Sequence, residues 1–136
     1  MALIFWYECR TSKSNHKSNA NYGWRKKQYG SKKEFIEAVY QRGKEDEQKT
    51  GIPPALMAAQ AGWESNYGSS YYAIHNNNIF GLVTSPFGSV DECIIFYENL
   101  LSNPNGSYAY LHDLPLEGWV NEIGKVYCPD NPNYGN

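Results

Sequence analysis

Residues 51–70 read G-I-P-P-A-L-M-A-A-Q-A-G-W-E-S-N-Y-G-S-S, and the first thirteen of them carry no charge. Pro53 and Pro54 suit a helix start, because proline lacks only an N–H that the first turn leaves unpaired in any case. Behind them Ala55, Ala58, Ala59, Ala61 and Gly62 leave almost no polar face. A helix that is small or apolar all round belongs inside a domain. The pattern therefore predicts a buried central helix over about 53–65, with Glu64, the first charge after the run, at its end. An ionised carboxylate there is costly unless it is paired. The structural alternative is an ion pair, but no Lys or Arg lies between Lys49 and Lys125. Any such partner must come from far along the chain, which makes Glu64 a candidate functional group.

Working outward, Ser31-Lys32-Lys33-Glu34 has the form of a capping box, Ser followed three residues later by Glu. It predicts a helix with Phe35, Ile36, Val39 and Tyr40 on its apolar face, an exposed polar end through residues 41–49, and a stop at Gly51. After the central helix, residues 69–74 read as a short helix broken by Asn76-Asn77-Asn78, since Asn tolerates turn conformations. Residues 79–83 read as a brief extended piece and 84–88 as a Pro/Gly loop. A second capping box, Ser89 to Glu92, opens a helix with Cys93, Ile94, Phe96, Tyr97, Leu100 and Leu101 inward and Glu98 toward solvent. Residues 108–112 and 116–127 read as two more helices, and 128–136 as loop. The expected fold is mainly α, with at most a small β element near 79–88.

The chain has 136 residues, enough for one domain with a real core. Its twelve Tyr and four Trp exclude a disordered chain. Their apolar faces and polar edges suit stacking on sugar rings and half-buried packing alike. The net charge of −2 is unevenly spread: residues 1–33 carry eight Lys/Arg against Glu8, and residues 34–136 carry four against thirteen acids. A basic arm, residues 1–30, is thus expected ahead of an acidic domain, residues 31–136. It would meet something anionic, whether nucleic acid, a wall polymer or an acidic partner, or else be a solvated leader. Residues 11–29, rich in Ser, Asn, Lys and Gly, read as linker. Residues 1–7 are apolar but too short for a membrane span, and lack the basic flank and cleavage site of a signal peptide. Delivery outside the cytoplasm would then need another route. Cys9, Cys93 and Cys128, and His16, His75 and His112, show no metal-ligand spacing, so neither a metal nor a cofactor is expected.

Four stretches, F-I-E-A-V-Y (35–40), residues 51–70, N-N-I-F-G (77–81) and Y-C-P-D-N-P-N-Y-G (127–135), together resemble the glucosaminidase-type peptidoglycan hydrolases of glycoside hydrolase family 73. That family includes flagellar-rod and autolysin enzymes and occurs in phage lysis and tail proteins. The likeness covers about residues 31–136. It implies a helical, lysozyme-like domain with a glycan cleft that cleaves the β-1,4 bond after N-acetylglucosamine. Action at the bacterial cell wall or from a virion follows, with peptidoglycan strands as the partner and a wall or virion component, rather than nucleic acid, for the arm.

By that resemblance Glu64 matches the glutamate of the E-S-x-x-G-x-S motif, the general acid. The chemistry agrees, because an apolar site keeps a carboxyl protonated for donation to a leaving oxygen. Asn77, Asn78, Phe80 and Gly81 match the N-N-x-F-G segment, where the amides would bind N-acetyl and hydroxyl groups and Phe80 would pack. Tyr127 and Tyr134 bracket a segment similar to Y-A-T-D-P-x-Y, which places one of them at the active site. Glycosidases usually use two carboxylates, and residues 82–90 contain none. Asp91 or Glu92 could serve, although helix capping also explains both; otherwise the substrate's acetamido group assists, or Glu64 works almost alone. The last case would suit a lytic transglycosylase or muramidase. A non-catalytic wall-binding or virion module is the reading from another class.

Overall fold

Ser31 accepts the amide of Glu34 on its hydroxyl at 3.2 Å, and this cap opens helix α1 (Lys32–Thr50). Gly51 closes it in the left-handed conformation, φ 70°, returning its N–H to Glu47. Only glycine adopts that conformation without strain. Helix α2 (Pro54–Ser65) follows after three residues, with Pro53 at its N-cap and Pro54 in its first turn. The chain continues through α3 (Tyr71–Asn76), α4 (Val90–Ser102), a short 3-10 helix (Ala109–Asp113) and α5 (Leu116–Tyr127). The computed structural model describes residues 29–83 and 86–134. Within them the fold is mainly α, as expected, and forms no strand. Residues 1–28 of the basic arm, Thr84-Ser85 of the Pro/Gly loop and residues 135–136 lie outside the described residues.

α1 and α2 make the most extensive helix pair. Gly43 explains how they come so close: a Cβ there would stand 3.0 Å from Pro54 Cα and 3.3 Å from Met57 Sδ. Phe35, Val39, Leu56, Met57, Ala58 and Ala61 fill that contact, and Tyr97, Leu101, Trp119 and Ile123 join them from α4 and α5. α1 differs from its expected face at one position: Tyr40 is 42% exposed, while Ile36 is half-buried against the core. Burial on α1 follows Phe35, Val39, Gly43 and Thr50, a stripe stepping by four, four and seven residues that leaves Tyr40 on its flank.

The expected extended piece over 79–83 is instead a closed loop. Asn78 accepts the amide of Leu82 at 3.0 Å and donates its own side-chain N–H to the Leu82 carbonyl. Gly81 between them has φ +67°. These bonds consume the groups a strand would pair, so the segment curls.

Glu98 corrects the sequence reading more sharply. It is 4% exposed rather than turned to solvent. Ile94, Glu98 and Leu101 are spaced four and three apart, so they share one face of α4, and all three are buried. There Glu98 meets Asp46 of α1, itself held by Arg42 at 2.6 Å, while Arg42 also reaches Asp91. Burial, the hydrogen bond to Asp46 and that neighbour's charge push the Glu98 carboxyl up to about 7, with Arg42 and Lys49 opposing. For Asp46, burial pushes up, but hydrogen bonds from Arg42 and Glu98 outweigh it and hold the group below its usual range. Of the two carboxyls Glu98 is the one that holds a proton below about pH 7, while Asp46 stays ionised.

A raised folded-state pKa means that the stabilisation is complete below about 4.5 and declines as pH rises toward about 7. Glu98→Gln keeps a donor for Asp46 and removes the titrating group. Thermal unfolding from pH 5 to 8 is expected to show a flatter profile for the variant and greater stability than the wild type above pH 7. Parallel profiles would place the proton elsewhere.

Candidate active site

The E-S-N-Y-G-S-S segment is largely a device for ending α2 and starting α3. Ser65 turns its hydroxyl back to the Ala61 carbonyl and accepts the Gly68 amide at 2.8 Å. Asn66, Tyr67 and Gly68 all take positive φ, at 48°, 57° and 79°. Phe35 packs so close to Gly68 that a Cβ would lie 2.8 Å from its ring. Ser69 bonds to the Asn66 carbonyl at 2.6 Å, and Ser70 caps α3 by accepting the Ala73 amide at 3.1 Å. Ser70 in this role shifts the short helix two residues later than the pattern suggested. The two serines, the glycine and the final Ser70 build the turn, and Glu64 sits in the last turn of the helix that it ends.

Glu64 is 3% exposed. Its Oε1 accepts the Tyr134 hydroxyl at 2.9 Å. The Tyr134 oxygen in turn accepts from the Gln60 side-chain amide at 3.2 Å, and Gln60 Oε1 accepts the Tyr97 hydroxyl. On the other side, a Cβ on Gly81 would stand 2.6 Å from Glu64 Oε2. The loop backbone therefore passes directly over the second carboxylate oxygen. Burial, and then the Glu64 charge, push the Tyr134 and Tyr127 hydroxyls well above their ordinary range. Both are neutral hydrogen-bond donors at any working pH.

The two candidate tyrosines separate in this geometry. Tyr134 meets Glu64, while Tyr127 donates to the Phe80 carbonyl from a fully buried position. Their rings stack at 5.7 Å, and Gly124 gives Tyr134 its seat, since a Cβ there would fall 2.8 Å from Tyr134 Cβ. The N-N-x-F-G residues mostly support the loop. Asn77 ends α3 with φ 54° and donates its amide to the Phe87 carbonyl at 3.0 Å. Asn78 is buried and satisfied by Leu82. Phe80 stacks on Tyr97 at 3.8 Å inside the core. Of the four, Gly81 is the one brought against Glu64.

A groove of about 340 Å³ runs between α2 and α5, with Ala59, Trp63, Leu116, Val120, Asn131 and Tyr134 in its walls. Trp63 is 48% exposed there, so the central helix is not buried all round. Tyr134 belongs both to this wall and to the Glu64 contact. An apolar groove with a few convergent polar groups is the usual form of a small-ligand or sugar site. Asp91 and Glu92 are engaged at the start of α4: Asp91 with Arg42, and Glu92 with the Gly88 amide at 2.8 Å.

Gln60 and Tyr97 went unassigned from sequence, although a signal existed. Gln60 is the one side chain in the uncharged run with both an amide donor and an acceptor, and it lies four residues before Glu64. That spacing stacks the two on one helix face.

A family model described as "Glucosaminidase: Mannosyl-glycoprotein endo-beta-N-acetylglucosaminidase" matches residues 40–136. Comparison with curated proteins returned no match, and comparison with solved structures returned none. The matched stretch holds Glu64, Gln60, the Gly81 loop and both tyrosines, and covers well over half of the sequence. The chain belongs to the glucosaminidase family, a family of glycoside hydrolases.

Proposed function

We propose that this glycoside hydrolase cleaves the β-1,4 bond after N-acetylglucosamine in peptidoglycan, with Glu64 as the general acid. The observation that carries this reading is the setting of Glu64: a buried carboxyl at the end of α2, held by Tyr134 of the groove wall and crowded by Gly81. A proton donor to a glycosidic oxygen needs such a partly apolar setting, fixed in orientation. Trp63 and Tyr134 offer ring faces to sugars along the groove. Tyr134 is the tyrosine proposed for the site; Tyr127, Asn77, Asn78 and Phe80 hold the loop that carries Gly81.

A one-carboxylate lytic transglycosylase is the second reading. It is favoured by the engagement of Asp91 with Arg42 and of Glu92 with Gly88, which leaves both candidate second carboxylates committed to the start of α4. Mass spectrometry of digested peptidoglycan separates the readings. A reducing-end N-acetylglucosamine product supports the first, an anhydro product the second, and a reducing-end N-acetylmuramic acid marks a muramidase. Absence of any cleavage would favour a wall-binding or virion module.

Residues 31–136 are proposed as the catalytic domain and residues 1–30 as a basic arm that attaches it to an anionic wall or virion component. Among the described residues no helix is long and apolar enough to cross a membrane. Deleting residues 1–28, which spares Tyr29 packed edge-on against Phe35, is expected to leave cleavage of soluble glycan fragments intact and to weaken binding to whole walls. The remaining binding should lose its salt dependence. A deletion that unfolds the protein would show that the arm contributes to the core.

A further inference from the structure

Glu64 has two oxygens in different surroundings, and the residues behind Tyr134 determine how they differ. Tyr97 is fully buried, stacked on Phe80, and its hydroxyl donates to Gln60 Oε1. This fixes the otherwise reversible amide of Gln60, since a flipped amide would point N–H at the Tyr97 hydroxyl and deprive its hydrogen of that acceptor. With Oε1 committed to Tyr97, Gln60 Nε2 donates to the Tyr134 oxygen at 3.2 Å. The Tyr134 hydrogen is then directed to Glu64 Oε1 at 2.9 Å.

We propose that Gln60 is a positioning residue for the reaction: pinned by Tyr97, it aims the Tyr134 hydroxyl at Glu64 Oε1 and so fixes the orientation of the carboxyl against Gly81. The inference rests on the reading of Glu64 as the general acid. The direction of donation runs from Tyr97 to Gln60, from Gln60 to Tyr134 and from Tyr134 to Glu64, so no step in the chain lacks a donor or an acceptor. A reversed Gln60 amide would offer its carbonyl to Tyr134 and compete with Glu64 for the same hydrogen. The carboxylate would lose a donor and, with it, its fixed orientation.

The test is the titration of Glu64 itself, followed by carboxyl carbon NMR on the intact protein, with the resonance assigned by its loss in Glu64→Gln. A donor to the carboxylate favours its ionised form, so removing the donor raises the pKa. Tyr134→Phe is expected to weaken the acid by about tenfold, the usual scale for one hydrogen bond to a charged group, and Gln60→Met to weaken it in the same direction by less, because it removes the bond that holds the Tyr134 hydroxyl and not the hydroxyl itself. The double variant should show no shift beyond that of Tyr134→Phe, because Gln60 reaches Glu64 only through the Tyr134 hydroxyl. Tyr97→Phe, which loses only a hydroxyl, should weaken the acid severalfold, and decides the matter should Gln60→Met fail to fold. In kinetics, Gln60→Met should lower kcat more than it raises KM and move the alkaline limb of the pH profile upward. An unchanged titration in Gln60→Met or Tyr97→Phe, or additive shifts in the double variant, overturns the proposal. A titration that behaves as expected in a protein that cleaves no glycan upholds the hydrogen-bond chain and removes the general-acid reading alone.

Discussion

Glu64→Gln is expected to lower glycan cleavage by about 10²–10⁴-fold, the usual cost of losing a general acid, and to leave the protein folded. Glutamine keeps the shape of the side chain, and its carbonyl can still accept the Tyr134 hydroxyl. What it cannot do is release a proton to a leaving oxygen. Stability should hold or rise, because the substitution removes an ionisable group from a site only 3% exposed. Active sites commonly gain stability when a costly catalytic group is neutralised. A peptidoglycan zymogram paired with a thermal melt measures both. Cleavage at the wild-type rate would sink the assignment of Glu64, whereas a large fall in melting temperature would show the carboxylate to be a structural partner instead.

Much of this arrangement was legible because local signals and tertiary packing agree. Both serine N-caps form as read, with Ser31 and Ser89 accepting the amides of Glu34 and Glu92, although Glu92 returns to the Gly88 amide and not to that of Ser89, and helix 116–127 begins and ends where its pattern indicated. These features depend on contacts within four residues, which sequence spacing reports directly. Glu64 was legible for a related reason: a lone charge closing an uncharged helix is visible without knowing what surrounds it.

The remainder depends on contacts between distant segments. Glu98 shares a helix face with the apolar Ile94 and Leu101, and the groups that make its burial tolerable, Arg42 and Asp46, lie on α1, some fifty residues away. Tyr127 and Tyr134 could not be separated by spacing, because the distinction lies in where the tail crosses Gly124. The asparagine run had the composition of a sugar-binding loop, yet its amides are spent on Phe87 and Leu82. Side-chain amides serve loop closure and ligand binding with the same atoms, so only partners at hand decide between them.

Gly81→Ala is expected to damage both stability and activity. Two separable costs arise. The residue has φ +67°, a conformation that costs alanine about 1–2 kcal/mol relative to glycine. The new methyl would also lie 2.6 Å from Glu64 Oε2 and 3.3 Å from its carboxyl carbon, so the carboxyl must rotate. Rotation pulls Oε1 from the Tyr134 hydroxyl and misaims the acid, for which a loss of at least about tenfold in kcat is expected, since misplacement of about 1 Å can cost 10²-fold. A double-mutant cycle divides the two costs. Truncating the partner in Glu64→Ala removes the carboxyl and leaves Glu64 Cβ, which a Gly81 methyl meets at an ordinary 3.5 Å. In that background Gly81→Ala should retain the backbone cost and lose the steric one, so its destabilisation by urea unfolding should be clearly smaller than in the wild type. Equal destabilisation in the two backgrounds would mean that the glycine serves the turn alone, and that its approach to Glu64 has no energetic consequence.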